Sequence, residues 1–272
     1  SLASIPSYDP NKYWEYNSET FKGWYSQDLF EPGSTFKPIN LALALEEKVI
    51  HQEGLVQDSG KVNVGGWTLS NWDKKGNGVI NYPKVLQVSS NVGMVKIMQN
   101  LPSKTYWDWL YKLGISKNLE TDLFESTAGQ LKSKDIFVSQ SIEPAVASFG
   151  KGFSISPLKL AQLHAVLANG GVKVIPHVTL NFKDKLTKNF KEEIFSDQVS
   201  KIVLEWMESV VDKGSGVGAK IEGYRIGGKT GTSQKAINGR YTSKKVCSFV
   251  ATFPLSLIHI SEPTRQAEIS YA

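Results

Sequence analysis

The hydrophobic pattern of the chain changes period once, near residue 224, and that change limits the fold more than any other feature. Up to residue 211, apolar side chains recur at helical spacing in four runs, over residues 39–50, 106–113, 156–169 and 197–211. From 224 to 234 and from 245 to 253 the pattern becomes extended, and Asn238-Gly239 between the two stretches is a hairpin-turn signal. Helices followed by an antiparallel pair predict an α+β domain. Ser156 followed by Pro157 is a helix start, because serine caps free amides and proline suits a first turn. Gly170-Gly171 and Gly214-Ser215-Gly216-Val217-Gly218 read as connections.

With 272 residues, 40% of them hydrophobic, the chain can bury one substantial core, so a single domain is expected. No apolar run reaches the roughly 18 residues of a membrane span. The formal charge of +5 comes from scattered lysines with no basic run, so nucleic acid is not an expected partner. One cysteine, Cys247, rules out an internal disulfide and a Cys-based zinc site, and it reads as a small apolar residue in a strand. The four histidines, His51, His164, His177 and His259, have no ligand-like spacing, so neither a metal nor another cofactor is expected.

Three short motifs carry the chemistry. Ser-x-x-Lys occurs three times, beginning at Ser34, Ser148 and Ser156. Ser-x-Asn occurs at Ser89-Ser90-Asn91 and at Ser116-Lys117-Asn118, whereas Lys229-Thr230-Gly231 is the one Lys-Thr-Gly. In combination these elements mark penicillin-binding proteins and class A β-lactamases. Order and setting favour Ser34, which precedes both Ser-x-Asn runs and follows the Pro32-Gly33 turn at a helix start. Ser148 and Ser156 have ordinary uses at a helix end and as an N-cap. Ser116 falls in the loop after a helix, which leaves Ser89 as the better relay residue.

A serine hydroxyl needs a base, and no histidine is placed by a motif to serve. Lys37, three residues after Ser34 and on the same helical face, is the candidate base. Burial and a neighbouring cation such as Lys229 would both disfavour its charged form. Ser89 and Asn91 would relay the proton to the leaving amine and hold the substrate amide. Lys229, Thr230 and Thr232 would bind a terminal carboxylate beside Gly231, and the amides of Ser34 and Thr232 would form the oxyanion hole.

Residues 31–38, 89–93, 152–171 and 207–240 resemble division-type class B penicillin-binding proteins, most closely in Gly228-Lys229-Thr230-Gly231-Thr232-Ser233-Gln234-Lys235-Ala236 and Gly239-Arg240-Tyr241. The resemblance runs over residues 1–254 and implies an antiparallel sheet on a helical lobe with the site between them. It also implies a peptidoglycan D,D-transpeptidase that acts on stem peptides ending in D-Ala-D-Ala and is acylated by β-lactams. An N-terminal membrane anchor, an extracytoplasmic location, a membrane glycosyltransferase partner and division proteins follow from the same likeness. A D,D-carboxypeptidase or a β-lactam sensor fits the same residues. A β-lactamase fits less well, because no Glu-x-x-Leu-Asn segment supplies the water-activating acid.

Gly223-Tyr224-Arg225-Ile226-Gly227-Gly228-Lys229-Thr230 also satisfies the P-loop pattern, but Gly231 and a polar stretch follow where a helix is needed. Residues 255–265 resemble the translation of a transposase sequencing adapter. Residues 255–272 are therefore expected to be a non-native tail.

Overall fold

The computed structural model describes residues 3–5, 7–123, 125–179, 192–237, 240–253 and 255. The Asn238-Gly239 turn and all but the first residue of the adapter-like segment lie outside them.

After a one-turn helix α1 (Trp24–Gln27), a 3-10 turn over Gly33–Phe36 runs directly into α2 (Lys37–Glu46). The helix therefore starts two residues before the apolar run and ends earlier than 50. Pro38 suits its first turn, and Leu-Ala alternation favours helix. Every residue from Lys37 to Leu45 is buried, so α2 has no solvent face and forms the centre of the molecule.

Around it pack α3 (Tyr82–Gln87), α4 (Asn91–Met98), α5 (Ser103–Lys112), α6 (Lys134–Ser139), α7 (Ile142–Ala147) and α8 (Pro157–Ala168). As expected, the Ser156 hydroxyl caps α8 by accepting from Lys159 N at 3.2 Å. The long α9 (Asp197–Lys213) is amphipathic, with Ser196 at its N-cap, and packs against α2, α3 and the closing hairpin.

Residues 55–81 add four strands the period reading does not show. β1 (Leu55–Asp58) pairs antiparallel with β4 (Gly78–Asn81), and β2 (Lys61–Val64) with β3 (Trp67–Ser70). At four residues each, they are too short for alternation to register. The closing hairpin consists of β5 (Gly227–Ile237) and β6 (Arg240–Thr252), paired from Gly227↔Thr252 to Ile237↔Arg240 with a bulge between Gln234 and Ala236. The expected α+β arrangement holds, with β5 lying against both α9 and the 3-10 turn. Cys247 is in strand β6 as expected, but it is exposed rather than buried. Among the described residues, no helix is long and apolar enough to cross a membrane.

His164 on α8 ties this frame to the 3-10 turn. Its ring is buried, Nε2 donates to the Thr35 carbonyl at 2.8 Å, and Nδ1 has no hydrogen-bond partner among the described residues. Burial lowers its pKa from 6.5 to about 4, with the Thr35 bond opposing. The folded state therefore binds fewer protons than the unfolded state between these values, and stability present above pH 6.5 is lost as pH falls toward 4. This contribution amounts to about 3 kcal/mol at full extent. Urea midpoints at pH 7 and pH 4.5 are expected to differ more for the native chain than for His164→Gln. Equal pH dependence in the two proteins would show that His164 does not titrate on unfolding.

Candidate active site between the central helix and the closing hairpin

The 3-10 turn presents Ser34 half-buried at the floor of a cleft of about 660 Å³, together with Ser89, Asn91, Thr230, Gly231 and Thr232. Backbone geometry makes this possible at two glycines. Gly33 has φ +57°, in the left-handed region, and its amide donates to the Gly150 carbonyl at 2.9 Å. A Cβ at Gly231 would come within 2.8 Å of Ser248 Oγ and Thr35 Cγ2, so only glycine lets β5 press against the turn.

Lys37 opens α2 fully buried. Its ammonium donates to the Ser89 carbonyl at 2.6 Å, Asn91 Oδ1 at 2.9 Å and Ser89 Oγ at 3.2 Å. No described hydrogen bond joins it to Ser34 Oγ, so its contacts are with the Ser-x-Asn loop. Burial, and secondarily the Lys229 charge, hold its pKa well below the ordinary lysine value, with Asp58 opposing.

Lys229 on β5 is equally buried, and burial lowers its pKa to about 8. Its ammonium donates to Ser89 Oγ at 3.1 Å and to the Thr230 carbonyl at 3.1 Å. One hydroxyl oxygen therefore accepts from two lysines. Lys229 does not itself line the cleft surface, whereas Thr230, Gly231 and Thr232 do.

Ser89 holds φ +56°, a strained value for a residue with a Cβ and one that aims its hydroxyl between the lysines. Asn91 Nδ2 donates to the Ser70 carbonyl at 3.1 Å, which fixes the amide with its oxygen toward Lys37.

The competing motifs fall elsewhere. Ser148 is buried and donates to the Ala145 carbonyl at 2.6 Å, Ser156 is the α8 cap, and Ser116 sits in the turn after α5. The P-loop-like run leads into strand β5, so no helix N-terminus is available to cradle phosphate.

Sequence reasoning missed the cleft walls. Trp72, Phe149, Lys151, Ser215 and Lys245 line it, and Ser215 Oγ lies 3.1 Å from Thr230 Oγ1. Ser215 belongs to a glycine-rich loop read only as a connection; its small size beside the Lys-Thr-Gly strand was the available signal.

A family model described as penicillin binding protein transpeptidase domain matches residues 1–264, a span that reaches into the adapter-like segment. The peptidoglycan D,D-transpeptidase FtsI homolog of Mesostigma viride is 42% identical over 286 residues, covering 94% of this chain and 48% of that protein. Stage V sporulation protein D of Bacillus subtilis is 31% identical over 268 residues, covering 93% of this chain and 41% of that one. The chain thus spans about half the length of the curated relatives it matches. Among solved structures, the TP domain of Burkholderia pseudomallei penicillin-binding protein 3 superposes with a TM-score of 0.77 at 28% identity, covering 86% of this chain and 70% of that one. With the family match running through all three motifs and the fold shared with a solved member, the chain belongs to the penicillin-binding protein transpeptidase domain family.

Proposed function

We propose that this chain is the catalytic part of a serine peptidoglycan D,D-transpeptidase, with Ser34 as nucleophile. The reading rests on one observation: Ser89 Oγ bridges two buried lysine amines at the floor of the cleft that exposes Ser34. Lys37 in its neutral form takes the Ser34 proton as Ser34 Oγ adds to the carbonyl of the penultimate D-Ala of a stem peptide. The amides of Ser34 and Thr232 stabilise the oxyanion. Collapse breaks the peptide bond, and the departing D-Ala amine takes its proton through Ser89. An amine from a neighbouring strand then displaces Ser34, completing the cross-link. Thr230 and Thr232 hold the terminal carboxylate, with Lys229 supplying positive potential from behind the strand.

A β-lactam follows the same first step, but its opened ring stays attached and blocks the second. The Mesostigma viride relative, named as a D,D-transpeptidase, supports transpeptidation over a carboxypeptidase or sensor role. By the same relationship the site works outside the membrane, where the wall is built, and a membrane glycosyltransferase and division proteins are partners of the whole protein.

Incubation with penicillin is expected to add one intact penicillin mass to the protein, mapping by peptide mass spectrometry to the segment carrying Ser34. A label at Ser148 or Ser156, or no label, would overturn the assignment. Slow loss of that label separates this reading from a β-lactamase, which would release it quickly.

A further inference from the structure

We infer that the buried pair Asp58 and Asn71, from the small strand unit at 55–81, positions the Ser89 relay for the acylation step. This rests on the function proposed above and adds two residues to it.

Neither residue belongs to the three motifs, and both are buried. Asp58 ends β1, and Asn71 follows β3. Asn71 Nδ2 donates to both Asp58 carboxylate oxygens at 2.9 Å and to the Lys75 carbonyl at 2.8 Å. Asn71 Oδ1 accepts from the amides of Asn91 at 2.9 Å and Val92 at 3.1 Å, and from Ser90 Oγ at 3.3 Å. Asn77 Nδ2 at 2.7 Å and Gly60 N at 2.9 Å also donate to the carboxylate, and against the opposing effect of burial these groups, with the Ser90 hydroxyl nearby, hold the Asp58 pKa below its ordinary value.

The polarity of the arrangement is fixed at both ends. A carboxylate requires a donor, and backbone amides require an acceptor, so the Asn71 amide has one orientation. The amides it receives belong to the first turn of α4, which the helix itself leaves unpaired. They stand two and three residues after Ser89, whose left-handed backbone holds only while its surroundings enforce it. Asp58 and Asn71 therefore set where Ser89 Oγ and Asn91 Oδ1 lie relative to the two lysines. Neither touches the reacting atoms, so they are positioning residues.

The test is a polarity reversal. Asn71→Asp places a carboxylate against both Asp58 and the Lys75 carbonyl, whereas Asp58→Asn combined with Asn71→Asp restores a donor from residue 58 and keeps an acceptor toward Asn91 and Val92, leaving the Lys75 carbonyl without its donor. Penicillin acylation kinetics would separate the affinity of the initial complex from the rate constant of the covalent step. Asn71→Asp is expected to lower the covalent rate constant about 10- to 100-fold, with initial affinity changed by less than about threefold, because misplacement affects the reaction more than binding. The double variant is expected to regain at least about fivefold of the lost rate, the behaviour of directly coupled neighbours, with the Lys75 bond still missing.

Native-like acylation by Asn71→Asp would overturn the inference, as would a folded double variant as slow as the single one. If Asn71→Asp fails to fold, the double variant decides alone: a rate within about tenfold of native supports the pair, and a rate about a hundredfold or more below native sinks it. A native chain that takes up no penicillin would overturn the functional proposal itself, and this one with it.

Discussion

Ser34→Ala is expected to reduce penicillin uptake below detection, a loss of at least about a thousandfold, since Ser34 Oγ is the atom proposed to form the ester. The fold is expected to remain intact. No described hydrogen bond uses Ser34 Oγ, the turn is held by backbone and by His164 and Gly33, and alanine suits the same backbone. Thermal melting within about a degree of the native chain, combined with absent labelling, would place the loss in chemistry rather than stability. Labelling that survives the substitution would mean that another serine is the nucleophile.

The second large effect is expected at Lys37, where arginine should be nearly as damaging as alanine. Both substitutions are expected to slow acylation by about a hundredfold or more, the usual contribution of a placed general base. Arginine keeps the charge but cannot release its proton, and its planar fork does not fit the three acceptors around Nζ. The native lysine has the opposite property. Burial and Lys229 favour its neutral form, so the base is available well below the pH at which an exposed lysine would lose its proton. Acylation by Lys37→Arg at a native rate would make Lys37 an electrostatic residue and move the base elsewhere.

The parts of the site legible in the sequence are those whose chemistry demands a fixed spacing. Ser34 with Lys37, Ser89 with Asn91, and Lys229 to Thr232 could be read because each set is local, and the helix starts could be read because serine caps and prolines are local too. The pairing of Lys37 with Ser89 and Asn91 rather than with Ser34 could not, since it spans more than fifty residues and depends on where α4 is anchored. Asp58 and Asn71 stayed hidden for the same reason: an aspartate in a four-residue strand looks like any surface acid until its partners are placed. Cys247 shows the limit on burial, for its strand is real but its side chain faces outward on β6.

The contact of Gly231 with the turn that carries Ser34 divides the cleft into a part that selection can alter and a part that it cannot. At the floor, backbone meets side chain and backbone with no room for a methyl group, so the gap between Ser34 and β5 cannot be widened or narrowed by substitution there without parting β5 from the turn. Trp72, Phe149, Lys151 and Lys245 line the cleft away from this contact and carry side chains of their own that substitution can change. On the proposed function, heritable changes in β-lactam susceptibility are therefore expected among these lining residues rather than at Gly231.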